Sequence, residues 1–312
     1  IVDLSAKTES SGSKSEIAGN VNCTIPVVKW TVQSASYRAW KFIAIFYVMA
    51  CGVSCVLWAP LVLGKNGLRL LKTAPDLFPW AIPGTLGPLV ACCVTHRFET
   101  GNWRVVRVIP SQLRQICWIF LGPLLVFACV FLVFPALMSK GDPRTWHWHA
   151  KALAAIPGYM FGYNLLGGPL FEEFGWRGFL QSRLDRLLPP WVAAICVGTM
   201  WAVWHFPLFL VRGWTSVSPL VFLFIMIGLS FVMAFGFNAS GQSIITAVLM
   251  HCAFNVSPLR IGDYLQGTAL REDPAGDWLI SCSFWLVGVV LLLLTHGSLG
   301  FRSIGEDDHL SP

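Results

Sequence analysis

Charge is what this 312-residue sequence lacks most: Asp, Glu, Lys and Arg make up 12% of it. A soluble domain of this size carries roughly 25% charged residues to keep its surface in water. Halving that share excludes an ordinary soluble protein, and 55% hydrophobic residues with a mean hydropathy of +0.63 point to a surface that faces lipid. No lysine- or arginine-rich run accompanies the net charge of +6, so the charge is no nucleic-acid footprint; basic loops beside anionic lipid account for it. The ten cysteines never fall into paired zinc-type spacing, and all but Cys23 lie in or beside apolar segments, where cysteine acts as a small hydrophobe. No His-Glu-x-x-His motif and no internal repeat is present. Residues 1–37 are polar, without the apolar core of a signal peptide, and are expected to form a flexible tail; 301–312 form a second polar tail.

Between the tails, 38–300 read as a polytopic helical membrane domain. A spanning helix needs about 20 mainly apolar residues. Candidates lie at 40–63, 77–96, 114–138, 152–180, 191–211, 218–237, 241–257 and 277–296. The expected fold is an all-α membrane protein, a bundle of about eight transmembrane helices, surrounded by membrane lipid. Pro79, Pro83 and Pro88 should kink or break the second span. The fourth should run to Leu187 as one long helix or kink at Gly167-Gly168-Pro169, before Pro189-Pro190 stops it. The basic residues weakly favour a cytoplasmic N-terminus, whereas the sequons at Asn22 and Asn238 favour the reverse. Orientation and the choice between plasma membrane and endoplasmic reticulum stay open.

Several polar residues interrupt these spans. A carboxylate in hydrocarbon costs at least about 2.5–3.5 kcal/mol, so Glu172 and Glu173 need partners or a wet cavity. They point about 100° apart, and Arg177, four residues on, shares a helix face with Glu173. That pairing leaves Glu172 for another role. His205 sits well inside the fifth span, and His251 and Asn255 share one face of the seventh. Taken singly, each has an ordinary explanation: a water-interface cluster, a core histidine, a helix-packing pair. Counted from one membrane face, however, Glu172 lies at about 20 Å, His205 at about 21 Å, and His251 and Asn255 at about 15 and 21 Å. Three helices delivering polar groups to a similar level argue for a shared cavity.

Together, Glu172-Glu173-x-x-x-Arg177, Trp201-x-x-x-His205 and His251-x-x-x-Asn255 resemble the CPBP family across about 150–257. That family contains type II CAAX prenyl endopeptidases, bacteriocin-processing proteases and Abi proteins; Glu-Glu-Phe-Gly-Trp-Arg-Gly is most similar to the Abi branch. Trp201 stands where phenylalanine is common. The resemblance implies an intramembrane peptidase, a hydrolase in which Glu172 with His205 activates water while His251 and Asn255 stabilise the oxyanion. Arg177 would hold Glu173 in place. A poorly solvated carboxylate suits proton exchange, and an imidazole and an amide can donate to a developing oxyanion. Glu172, His205 and His251 are also candidate ligands for a zinc ion, since family members are often called metalloproteases, although the Glu/His mechanism needs no metal. The implied substrate is a prenylated C-terminus or a leader peptide. Two other readings stand beside it: a non-hydrolytic immunity or scaffold pseudoprotease, and a membrane enzyme doing acid/base chemistry on a lipophilic small molecule.

Overall fold

A computed structural model describes residues 25–73, 75–103, 112–138, 158, 160–215, 217–256 and 274–302. The chain divides into two compact units, Ile1–Arg38 and Ala39–Pro312. In the first, only the start of helix α1 (Ile25–Leu63) is described, so the expected tail at 1–37 lies largely outside the described residues. All that follows concerns the second unit.

Its described regular structure is helical, and the protein is an all-α, multi-pass integral membrane protein. Among the described residues, four helical stretches are long and apolar enough to cross a bilayer: Ser36–Leu63, Pro190–Leu210, Pro219–Ala239 and Asp277–Leu294. The apolar stretch Trp118–Val130, part of a longer helix, and the shorter apolar helix Ile244–Asn255 pack among them. The remaining expected spans are interrupted, for reasons the sequence carries. The second divides into α2 (Leu77–Gly84) and α3 (Leu86–Thr100) at Thr85, two residues after Pro83. The third begins with one turn, α4 (Leu113–Ile116), before α5 (Trp118–Met138).

Of the two forms expected for 152–187, the described residues show the one kinked at Gly167-Gly168-Pro169, with 152–157 outside the described residues. A short helix α6 (Tyr163–Leu166) ends at Gly167, and α7 (Pro169–Glu173) starts afresh with proline in its first turn, where a missing N–H costs nothing. Helix α7 runs without a gap into a π-helical stretch, Phe174–Gln181, and then α8 (Ser182–Leu187). Isolated π turns cluster at functional positions in helices. At Gly175 a Cβ would lie 2.5 Å from Pro88 Cβ and 2.8 Å from its carbonyl oxygen, so glycine is what lets this run lie against α3.

The fifth span is α9 (Pro190–Trp204) followed by a 3-10 turn, Phe206–Leu210. His205 therefore sits at a helix end rather than well inside a helix. Pro207 supplies the reason, having no N–H to continue the α-helical ladder. Helix α10 (Pro219–Ala239) opens with Ser218, whose hydroxyl accepts the Val221 N–H at 3.3 Å, and is buried along most of its length. It packs against α9, α11 (Ile244–Asn255) and α12 (Pro274–Leu294). A polar residue on α10 is consequently surrounded by protein rather than lipid, which matters for Ser230. The nine cysteines among the described residues form no disulfide.

Candidate active site

The carboxylates of Glu172 and Glu173 are both buried, at 4% and 0% exposure, and their partners differ. Glu173 Oε1 accepts Arg177 Nη1 at 3.1 Å, the pairing expected from their spacing. The same oxygen accepts His251 Nδ1–H at 2.8 Å, so Glu173 ties its own helix to α11. Arg177, fully buried, also donates from Nη2 to Ser230 Oγ at 3.3 Å and lies over the Trp201 ring with its guanidinium carbon 4.4 Å from the centroid. A guanidinium at that depth is tolerable only with such partners: an anion, a hydroxyl acceptor and an aromatic face.

Glu172 makes a different contact. Its Oε2 accepts the indole N–H of Trp201 at 2.8 Å, a neutral donor where Glu173 has a cationic one. The other oxygen crowds Gly168, at which a Cβ would come within 2.6 Å of Oε1. The glycine that breaks the fourth span thus also leaves room for this carboxylate.

His205 donates from Nδ1 to the Trp201 carbonyl oxygen, 2.9 Å away, because a carbonyl can only accept. In the neutral ring the acceptor lone pair is then on Nε2. The ring lies among aromatic rings, stacked on Trp214 at 5.6 Å and edge-on to Trp204 and Phe222 at 4.6 and 5.2 Å. His251 has the matching arrangement, with Nδ1–H committed to Glu173. Its Nε2 becomes a donor only when the ring carries both protons. Asn255 donates from Nδ2 to Asn164 Oδ1 at 3.2 Å, and Asn164 Nδ2 donates to the Cys252 carbonyl at 3.2 Å. One amide hydrogen of Asn255 remains for another acceptor.

Glu172, Arg177, His205 and His251 meet at Trp201, on its indole N–H, over its ring, at its backbone oxygen and edge-on to its ring at 4.9 Å, and Glu173 joins them through Arg177 and His251. Asn255 follows His251 by one turn of α11. The zinc set fits less well. Among the described residues no three His, Cys, Asp or Glu side chains are grouped to hold a metal ion. Both histidines would have to ligate through Nε2, since their Nδ1 atoms are engaged with the Trp201 carbonyl and Glu173.

Asn164, Ser230 and the indole N–H of Trp201 were not singled out from sequence. Each carried a signal: a polar group within an apolar run needs a hydrogen-bond partner there. The sequence could not say which partner.

Residues 154–257, which hold every one of these side chains, match the family model described as Type II CAAX prenyl endopeptidase Rce1-like. This segment is similar to that family. The CPBP resemblance carried by the three motifs is borne out over that stretch. A curated relative, CAAX prenyl protease 2 of Methanococcus maripaludis, is 27% identical over 106 residues. The match covers 30% of this chain and 38% of that protein, so the chain spans well under half of the relative's length. The Rce1-like segment contains all of α6 to α11, whereas α1 to α5 and α12 lie outside it.

Proposed function

We propose that the chain is an intramembrane peptidase that hydrolyses a peptide bond with water activated by Glu172 and His205. The observation that carries this reading is the unequal treatment of two adjacent buried carboxylates. Glu173 is neutralised by Arg177 and spent on holding His251; Glu172 faces a neutral donor and keeps the capacity to accept a proton. In the reaction, the water oxygen attacks the scissile carbonyl carbon as its proton passes to Glu172. His251 Nε2–H and Asn255 Nδ2–H stabilise the oxyanion. Collapse of the tetrahedral intermediate breaks the C–N bond, and the proton returns to the leaving amine. The Rce1-like match and the relative's name favour a prenylated C-terminal peptide as substrate.

The test is incubation of the purified protein with farnesylated, geranylgeranylated and unmodified peptides in ¹⁸O-labelled water, read by mass spectrometry. Hydrolysis places one label in the new carboxyl group. Cleavage of no peptide, with the protein folded, counts against the reading and favours a non-hydrolytic immunity or scaffold role. Asn255→Ala should lower kcat by about 10²–10³-fold, the loss typical of one oxyanion donor, with little change in KM. A variant with wild-type kcat would remove Asn255 from the site.

We also propose that no zinc ion is required. Activity should stay within about twofold of the starting value after treatment with a strong zinc chelator, since water activation runs through the carboxylate and imidazoles alone. Loss on chelation with recovery on adding zinc would overturn this and return Glu172, His205 and His251 to the role of ligands.

A further inference from the structure

Two tryptophans flank one turn of α9, and their indole N–H groups are used differently. Trp204 donates to Ser54 Oγ at 2.8 Å, and Ser54 passes its own hydrogen to the Gly84 carbonyl at 2.7 Å. That chain ties α9 to α1 and the end of α2, and it is structural. Trp201 donates instead to Glu172 Oε2 at 2.8 Å. Around the same indole stand the Arg177 guanidinium at 4.4 Å and the His251 ring at 4.9 Å, and the Trp201 backbone oxygen receives His205 Nδ1–H at 2.9 Å. Trp201 is 1% exposed, so none of these contacts competes with bulk water.

We propose that Trp201 is a positioning residue, whose indole N–H fixes the Glu172 carboxylate in the orientation from which it receives a proton. The inference rests on the reading of Glu172 as the base, given above. A phenyl ring at 201 would supply an aromatic face for Arg177, an edge contact for His251 and the same backbone oxygen for His205. It would lack the N–H and the breadth of the second ring. A carboxylate held at one oxygen by a donor and crowded at the other beside Gly168 has one preferred plane. Without the donor it rotates about its terminal torsion, which is broad and poorly restrained. Mispositioning of this kind acts on the reaction step, not on substrate capture.

Trp201→Phe therefore removes the N–H with the least change of packing. Loss of one hydrogen bond to a charged group corresponds to about a 10- to 100-fold fall in kcat, with KM held within about threefold. Thermal stability should fall, because the smaller ring leaves a cavity, and kcat is therefore read per folded molecule. In a Glu172→Gln background the same change should add no further loss, since the base it positions is already gone. An independent readout is the indole proton resonance of Trp201 in ¹⁵N-labelled protein, identified by its disappearance in Trp201→Phe. It should shift when Glu172→Gln exchanges the carboxylate acceptor for an amide. Wild-type kcat in Trp201→Phe beside an inactive Glu172→Gln would overturn the proposal while leaving the peptidase reading intact. An active Glu172→Gln would instead remove the reading on which the proposal stands. Reduced abundance with unchanged kcat per folded molecule would make Trp201 a packing residue only. Should Trp201→Phe fail to fold, the resonance recorded in labelled parent and in Glu172→Gln, assigned by selective labelling, decides alone: no shift overturns the proposal.

Discussion

Glu172→Gln should abolish peptide cleavage while leaving the protein folded, inserted and able to bind substrate. Glutamine matches the shape of glutamate and can still accept the Trp201 N–H, so the hydrogen bond at 2.8 Å survives in kind. What disappears is the capacity to take a proton from water. General-base catalysis is worth about 10²–10⁴-fold, and kcat should fall by at least that much with KM nearly unchanged. The measurement is initial rate per molecule of membrane-extracted protein, alongside its abundance and melting temperature. Wild-type turnover at wild-type abundance would sink the hydrolytic reading altogether, whereas inactivity at normal abundance would support it.

Arg177→Ala should damage the fold itself. It removes the cationic partner of Glu173, the donor to Ser230 and the cation over the Trp201 ring in one step. Truncating one member of a buried ion pair commonly costs about 3–5 kcal/mol, because the other charge stays desolvated. Here the lower end is expected, since His251 remains on the Glu173 carboxylate at 2.8 Å. The prediction is a marked drop in melting temperature and membrane abundance, with activity lost in parallel. Arg177→Lys should recover part of the stability, as an ammonium can reach the carboxylate but cannot lie flat over an indole or fork to Ser230. A fully stable, fully active Arg177→Ala would show the pair to be dispensable.

Much of the helical plan was legible because the bilayer imposes a length and a composition that 20-residue windows detect directly. Pro83 announced the break at Thr85, whereas the helix end at His205, ahead of Pro207, was not foreseen within a span expected to run through 191–211. Depth arithmetic placed Glu172, His205 and His251 at a similar level, and each of the three contacts Trp201. The i,i+4 rule named Arg177 as the partner of Glu173. What stayed hidden was the distribution of hydrogen bonds around Trp201. Whether His251 reaches Glu173 or Glu172 depends on helix rotation of a few tens of degrees, and no residue count reports that. The π-helical stretch was equally unreadable, because Phe174–Gln181 has a composition that suits an ordinary α-helix.

That stretch gives the helix an unusual slack in length. A π turn accommodates a residue more than an α turn, by bonding i to i+5. Upstream of it hang Glu172 and Glu173; downstream hang Arg183, paired with Glu99 and lying over Phe179, and Asp185, held by Gln181 at 2.8 Å. Removing one residue between 174 and 181 would let the backbone relax to α pitch with the downstream anchors near their present phase, whereas the same deletion in an ordinary α-helix turns everything beyond it by about 100°. Length is therefore less strictly set here than residue identity, which Gly175 and Arg177 fix by lying against Pro88 and pairing with Glu173.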